Sequence, residues 1–128
     1  MFIPTLPYQH ARGVSVLAVE SVLVHMCAKP TSIRSWESAV EWLPDLAAET
    51  TAIAISQELA NRPRTVAART GYLLQGLRPD IAKSIEESWP LTGKTWFGSR
   101  NRQLRYDGHW RVADTLLPFD PRTLEAVS

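Results

Sequence analysis

The fold of this chain is organised around residues 63–77, which read PRTVAARTGYLLQGL. Apolar side chains recur there at helical spacing. The inner face of the predicted helix consists of Val66, Thr70, Leu73, Leu74 and Leu77. Pro63 fits the first turn, where its missing N–H costs nothing. Gly71 weakens a helix interior by about 1 kcal/mol relative to alanine, so its presence predicts close packing against another backbone.

Four more helices are predicted on the two sides of this segment. Residues 19–29 form the first, which ends because Pro30 cannot continue it. The second begins near Trp36 and is interrupted or ended by Pro44. Residues 50–60 form the third, and the last opens at Pro79 and ends before Pro90. Six side chains from these elements and the C-terminal region are expected to be buried together: Trp36, Leu43, Leu73, Leu74, Ile85 and Trp110.

Strands are predicted at both ends of the helical region. Residues 14–18 suit a short strand, and Trp96 and Phe97 suit another. Asp107 and Gly108 lie between residues 103–106 and 109–112, which predicts a two-residue hairpin turn with Gly108 at positive φ. Pro121 is expected to start a last short helix. The predicted fold is α+β and mainly helical, a single domain over residues 1–128 with about five short helices and a small antiparallel sheet near the C-terminus.

The composition limits the class of protein. The chain has 128 residues, of which 45% are hydrophobic and 21% charged, as in an ordinary globular domain. Cys27 is the single cysteine, which excludes an internal disulfide, and its apolar surroundings predict a buried hydrophobe. The N-terminus has no signal-peptide pattern, and no uncharged apolar run approaches the roughly 20 residues that cross a membrane. A cytoplasmic protein without a membrane partner is therefore expected.

No motif for catalysis or metal binding is present in the sequence. The three histidines are far apart, and none has a second ligand two to four residues away. Nucleotide-binding glycine loops, the H-E-x-x-H motif and the G-x-S-x-G elbow are also absent. We therefore predict no catalytic residue, no metal and no cofactor, and expect the chain to work by binding and not as an enzyme.

Basic residues are concentrated in the middle of the chain. Residues 62–111 hold ten basic and four acidic side chains, whereas the segments on both sides are net acidic. The densest group is Arg100, Arg102, Arg105 and Arg111, next to Tyr106, His109 and Trp110. Guanidinium groups bind oxyanions bidentately, so this group is a candidate contact for nucleic acid or an acidic partner. Arg105 and Arg111 are expected on one face of the hairpin, with Leu104 and Val112 on the other.

A second basic group consists of Arg62, Arg64 and Arg69, at and after the start of the helix in residues 63–77. Cations near a helix N-terminus oppose the helix dipole. Their presence predicts a counter-charge, the C-terminus of a neighbouring helix, or a ligand nearby. For both basic groups the alternative is a solvated surface that carries charge for solubility.

Residues 69–74, Arg-Thr-Gly-Tyr-Leu-Leu, preceded by short helices, resemble the R-x-G-Y-L-L helix of AbiEi-type antitoxins, a family named after abortive infection. Residues 110–118, which read WRVADTLLP, are similar to the end of that family's C-terminal domain. Residues 13–26, in which a short strand runs into a helix through Glu20, are similar to its beginning. The resemblance covers residues 13–121 and rests on the order and spacing of these short motifs.

The resemblance implies the antitoxin of a bacterial type IV toxin–antitoxin pair, whose toxin resembles a nucleotidyltransferase. In that family an N-terminal winged helix binds operator DNA for autorepression, and the C-terminal domain is associated with neutralisation and assists DNA binding through basic surface. A stable complex with the toxin is not required. No winged helix precedes residue 13, so this chain is expected to bind DNA weakly, through phosphates.

The expected interface residues are Arg64, Arg69, Arg100, Arg102, Arg105 and Arg111. Two alternatives remain open: a nucleic-acid-binding regulatory domain of another family that uses the basic hairpin, and a small enzyme with a dispersed site.

Overall fold

The computed structural model of the protein describes residues 18–126. Over that range the chain forms five α-helices, which are α1 (Val19–Ala28), α2 (Trp36–Ala48), α3 (Ala52–Leu59), α4 (Arg64–Leu74) and α5 (Pro79–Ser88). Three short strands follow, β1 (Thr95–Phe97), β2 (Arg105–Asp107) and β3 (Val112–Asp114). Single 3-10 turns occur at Pro30–Ser32 and Pro121–Thr123. The α+β, mainly helical fold class is confirmed, while the strand predicted at residues 14–18 lies outside the described residues except for Ala18.

Local sequence sets most helix boundaries. The Ser35 and Thr51 hydroxyls accept hydrogen bonds from the Ser38 and Ala54 amides, each 3.1 Å long, which caps the N-termini of α2 and α3. The expectation that Pro44 interrupts or ends α2 is wrong, because the helix continues through it to Ala48. Leu46 and Ala47 beyond the proline are buried, and their burial offsets the lost backbone hydrogen bond.

The sheet has the strand order β1-β3-β2. Strands β2 and β3 are antiparallel as expected, with Asp107 opposite Val112, whereas β1 runs parallel to β3, so the sheet is mixed. The third strand predicted at Trp96 and Phe97 is confirmed. The β2 and β3 segments begin two and three residues later than predicted, at Arg105 and Val112.

The predicted two-residue turn at Asp107 and Gly108 is wrong. Strand β2 ends at Asp107 and β3 begins at Val112, which leaves residues 108–111 as the connection. Within the described part of the chain, the glycines with positive φ are Gly93 and Gly98, and Arg111 instead takes the left-handed conformation in this turn, with φ 57°. The Asp107 carboxylate accepts hydrogen bonds from the amides of His109 and Trp110, at 2.9 and 3.0 Å. In this longer turn the Trp110 side chain points back into the core, where it is buried.

Helix α4 lies at the centre of the core. It packs against α1, α5, β1 and β3, and eight of its eleven residues are buried. The six residues expected to be buried together all belong to one hydrophobic cluster, which confirms that prediction. Cys27 is also fully buried there, as expected, and burial raises the pKa of its thiol to about 12.

The reason for Gly71 differs from the prediction. A Cβ at this position would lie 2.8 Å from Cε3 of Trp110 and still closer to two other ring atoms. An indole, and not a backbone, therefore requires the glycine. A close backbone approach does occur one turn later at Gly76, where a Cβ would lie 2.7 Å from the Leu124 carbonyl oxygen. Across residues 18–126, no helix has both the length and the apolar character to cross a bilayer.

Candidate nucleic-acid and partner interface

The hairpin is organised by a buried carboxylate, that of Asp114 on β3. Asp114 is 0% exposed and accepts four hydrogen bonds. Two come from side chains, the Tyr72 hydroxyl at 2.7 Å and Arg105 Nη1 at 2.6 Å. The others come from the amides of Leu116 and Leu117, at 3.0 and 2.9 Å. These contacts join α4, β2, β3 and the following segment around one charge, and they satisfy the buried carboxylate.

Arg105 is occupied by this carboxylate. Burial alone would lower the pKa of its guanidinium, but the hydrogen bond to Asp114 and the charge of Asp114 raise it above its ordinary value. The same Nη1 also donates to the Leu117 carbonyl at 3.1 Å. The pKa of the Tyr72 hydroxyl is also raised, first by burial and then by the neighbouring Asp114. Arg105 therefore stabilises the hairpin from within.

The expected division of the hairpin into two faces is also wrong. Arg105 lies opposite Asp114 in the ladder, whereas Arg111 lies in the turn and is exposed. Leu104, expected on the same face as Val112, is 58% exposed, while Val112 is fully buried. In the observed ladder Arg105 is directly opposite Asp114, so its side chain projects from the same face as those of Asp114 and Val112, and Arg111 precedes the strand.

Arg69 on α4 is likewise engaged with its own chain. Its Nε donates to the Trp96 carbonyl at 2.7 Å, and Nη1 donates to the Cys27 carbonyl at 3.3 Å. The Ala28 carbonyl lies 3.5 Å from the same nitrogen. Cys27 and Ala28 are at the C-terminus of α1, the negative end of that helix dipole. The predicted helix C-terminus is therefore present beside Arg69, and burial lowers the pKa of its guanidinium.

The other cations near α4 also have partners. Arg64 donates to the Thr92 carbonyl, and Arg62 forms an ion pair with Glu58 at 3.7 Å. Of the six predicted interface residues, Arg64, Arg69 and Arg105 thus contact the protein itself. Arg100, Arg102 and Arg111 are exposed. The structure therefore divides the predicted set into three internal contacts and three solvent-facing cations.

The outer face of the sheet joins Arg100 and Tyr106, which belong to the predicted basic and aromatic group, to Lys94 and Trp96, which were not predicted as site residues. Trp96 on β1 and Tyr106 on β2 both lie in register with Ala113 on β3. Lys94 Nζ is 4.5 Å from the Trp96 ring centroid and 5.9 Å from that of Tyr106. The Arg100 guanidinium is 6.0 Å from the Trp96 ring. We call these four residues, Lys94, Trp96, Arg100 and Tyr106, the aromatic–basic face. In the sequence, the signal for this face is Lys94 two positions before Trp96 in a predicted strand. Only the strand order brings these two residues close to Tyr106.

Metal binding has no structural support in the described residues. No group of three or more His, Cys, Asp or Glu side chains within residues 18–126 is arranged to hold an ion. His109, the histidine nearest to the basic hairpin, instead contacts Glu86 on α5 at 3.1 Å.

Comparison with known proteins identifies the class. The model of the AbiEi antitoxin C-terminal domain family matches residues 1–76, which include the R-x-G-Y-L-L segment and end before residues 110–118. The chain belongs to this family. No curated protein matched the chain.

A solved structure has the same fold. It is the crystal structure of the RV2827C protein from Mycobacterium tuberculosis, with a TM-score of 0.71 and 22% sequence identity. The similarity covers 89% of this chain and 43% of that protein's chain, so the present sequence corresponds to less than half of the longer protein. At this identity the comparison establishes the fold.

Proposed function

We propose that this chain is the antitoxin domain of a bacterial type IV toxin–antitoxin pair, and that it counteracts a nucleotidyltransferase-like toxin by binding and not by catalysis. The observation that supports this proposal is the family match over residues 1–76, which covers α1 to α4 and therefore most of the helical core. Neutralisation does not require a stable complex with the toxin in this proposal.

We also propose that the domain contributes to autoregulation by contacting duplex DNA weakly. Arg100, Arg102 and Arg111 are the exposed cations of the hairpin region and are suited to phosphate contact. Arg64, Arg69 and Arg105 act indirectly in this proposal, because they hold the surrounding backbone in place. Phosphate contacts supply affinity without sequence information, and the affinity should fall steeply with salt.

Growth rescue tests the antitoxin role. The chain is co-expressed with a nucleotidyltransferase-like toxin, and colony formation is compared with that of cells carrying the toxin alone. Rescue by the wild-type chain is expected, and absence of rescue by a chain that is folded and present at normal levels contradicts the proposal. Size-exclusion chromatography of the mixed proteins separates neutralisation through a stable complex from neutralisation without one.

Fluorescence anisotropy tests the duplex contact. Two unrelated duplexes are titrated at low and moderate salt with the wild-type chain and with the triple variant Arg100→Gln, Arg102→Gln, Arg111→Gln. The triple variant should bind both duplexes more weakly and with a smaller salt dependence. Arg34→Gln is the matched control, since Arg34 is exposed before α2. Strong preference for one duplex, or an unchanged affinity of the triple variant, contradicts this contact.

A further inference from the structure

The outer face of the sheet combines flat aromatic side chains with positively charged side chains. We propose that the aromatic–basic face binds single-stranded nucleic acid, with bases stacked on Trp96 and Tyr106 and a phosphate held by Lys94. This site goes beyond the proposed antitoxin role and does not depend on it, since neither toxin neutralisation nor duplex contact requires unpaired bases.

The strand register creates the spacing between the two rings. Trp96 and Tyr106 lie opposite the same residue, Ala113, and residues directly opposite one another project from the same face of a sheet. Adjacent strands are about 4.8 Å apart, so the two rings are attached about 10 Å apart. On β1, Thr95 and Phe97 are buried whereas Trp96 between them is half-buried, and Tyr106 on β2 is 44% exposed, which places both rings on the outer side of the sheet. Ala113 lies between the two aromatic residues and is fully buried.

The positive charge lies between and beside the rings. Lys94 Nζ is within 6 Å of both ring centroids, and Arg100 is 6.0 Å from the Trp96 ring. Among the described residues, neither cation has a carboxylate within 4 Å. A phosphate that links two splayed nucleotides would therefore meet a free ammonium group between the two stacking surfaces.

Solvent access on this face favours unpaired bases over a duplex. Tyr106 is 44% exposed, and the neighbouring Leu104 is 58% exposed, so bases can reach the ring from solvent. In a duplex the faces of the bases are covered by their neighbours, whereas in a single strand they are free to stack on aromatic side chains. An exposed cation–π contact is weaker than base stacking. An incoming base therefore displaces Lys94 from the Trp96 ring, and the ammonium moves to the phosphate.

The binding test uses the full chain and three fluorescein-labelled probes of equal length: oligouridylate, oligothymidylate and a mixed-sequence duplex. Both single strands should bind more tightly than the duplex, and stacking should quench tryptophan fluorescence. If oligouridylate binds more tightly than oligothymidylate, the preferred strand is RNA. If the two bind equally, the site accepts single-stranded RNA and single-stranded DNA alike. Equal or tighter binding of the duplex overturns the proposal and leaves only phosphate contact.

Substitutions test the residues. Tyr106→Ala should lower single-strand affinity about 5- to 100-fold, as expected for loss of one stacked base. Ile53→Ala is the matched control, because Ile53 is 72% exposed on α3, away from the sheet. Trp96→Phe should retain most of the affinity and lose most of the quenching. Lys94→Gln should reduce the salt dependence by about one counterion, whereas Lys83→Gln on α5 should not.

Thermal melts confirm that each variant is folded before its affinity is compared. Unchanged single-strand affinity in Tyr106→Ala, or an equal loss in Ile53→Ala, overturns the proposal. The assay contains no toxin, so its failure and a failure of growth rescue are distinguishable results.

Discussion

Gly71 in the middle of α4 and Trp110 in the β2–β3 turn are in direct contact, and the indole occupies the space where any other residue at position 71 would place its Cβ. Trp110 is 3% exposed, so a shift of its ring would disturb the side chains packed around it. This contact joins the centre of the helical core to the hairpin, 39 residues later in the chain. It also explains why a helix whose periodicity is otherwise regular contains a glycine.

Gly71→Ala is therefore expected to destabilise the domain. Alanine gains about 1 kcal/mol of helix propensity, but overpacking of a core costs about 1–3 kcal/mol and here requires displacement of a whole indole. Because the Cβ would lie within 2.8 Å of three ring atoms, we place the cost at the upper end of that range and expect a net loss of about 2 kcal/mol in the free energy of unfolding, measured by denaturant titration. Gly108→Ala is the control, because a Cβ there meets nothing within 4 Å. Equal stability of Gly71→Ala and the wild type would contradict the contact.

Leu74→Ala is expected to cost about 2–5 kcal/mol, the range for a fully buried leucine. Leu74 is 0% exposed at the end of α4, where neighbouring side chains surround it. Urea melts of the two proteins give the difference. Leu104→Ala, at an exposed position, should change stability by less than about 0.5 kcal/mol. A loss well below 1 kcal/mol in Leu74→Ala would mean that the orientation of α4 is wrong.

Arg105→Met is expected to destabilise the protein by about 3 kcal/mol, because it leaves the buried Asp114 carboxylate without its cationic partner. Arg102→Met is the matched control, since Arg102 belongs to the same basic segment but is exposed. The control should lie within about 0.5 kcal/mol of the wild type. If the two variants have equal melting temperatures, the ion pair contributes nothing and Arg105 belongs to the surface set.

Thr95→Val is expected to stabilise the domain by about 1 kcal/mol. Thr95 is 2% exposed on β1, and its hydroxyl has no hydrogen-bond partner in the described structure, so an isosteric methyl group removes a desolvation cost. Thr70→Val is the comparison, because the Thr70 hydroxyl donates to the Val66 carbonyl at 2.8 Å. Differential scanning calorimetry should give Thr95→Val a higher melting temperature than the wild type. A lower melting temperature for this variant would indicate that the Thr95 hydroxyl has a hydrogen-bond partner.

The helices and the core were determined by the sequence itself. Helical periodicity and the prolines at positions 30, 79 and 90 act over a few residues, and they correctly located five helices and six core residues. Pro44 was the exception, since the burial of Leu46 and Ala47 in the hydrophobic core outweighed a local signal that ends helices.

The sheet and the interface were decided by tertiary structure. Arg105 resembles Arg102 in the sequence, yet only Arg105 reaches Asp114, because the β2–β3 register brings the two residues together. Trp96 and Tyr106 share a face because β3 inserts between their strands. Such relationships depend on pairing between residues distant along the chain, and the short local patterns of a sequence do not specify that pairing.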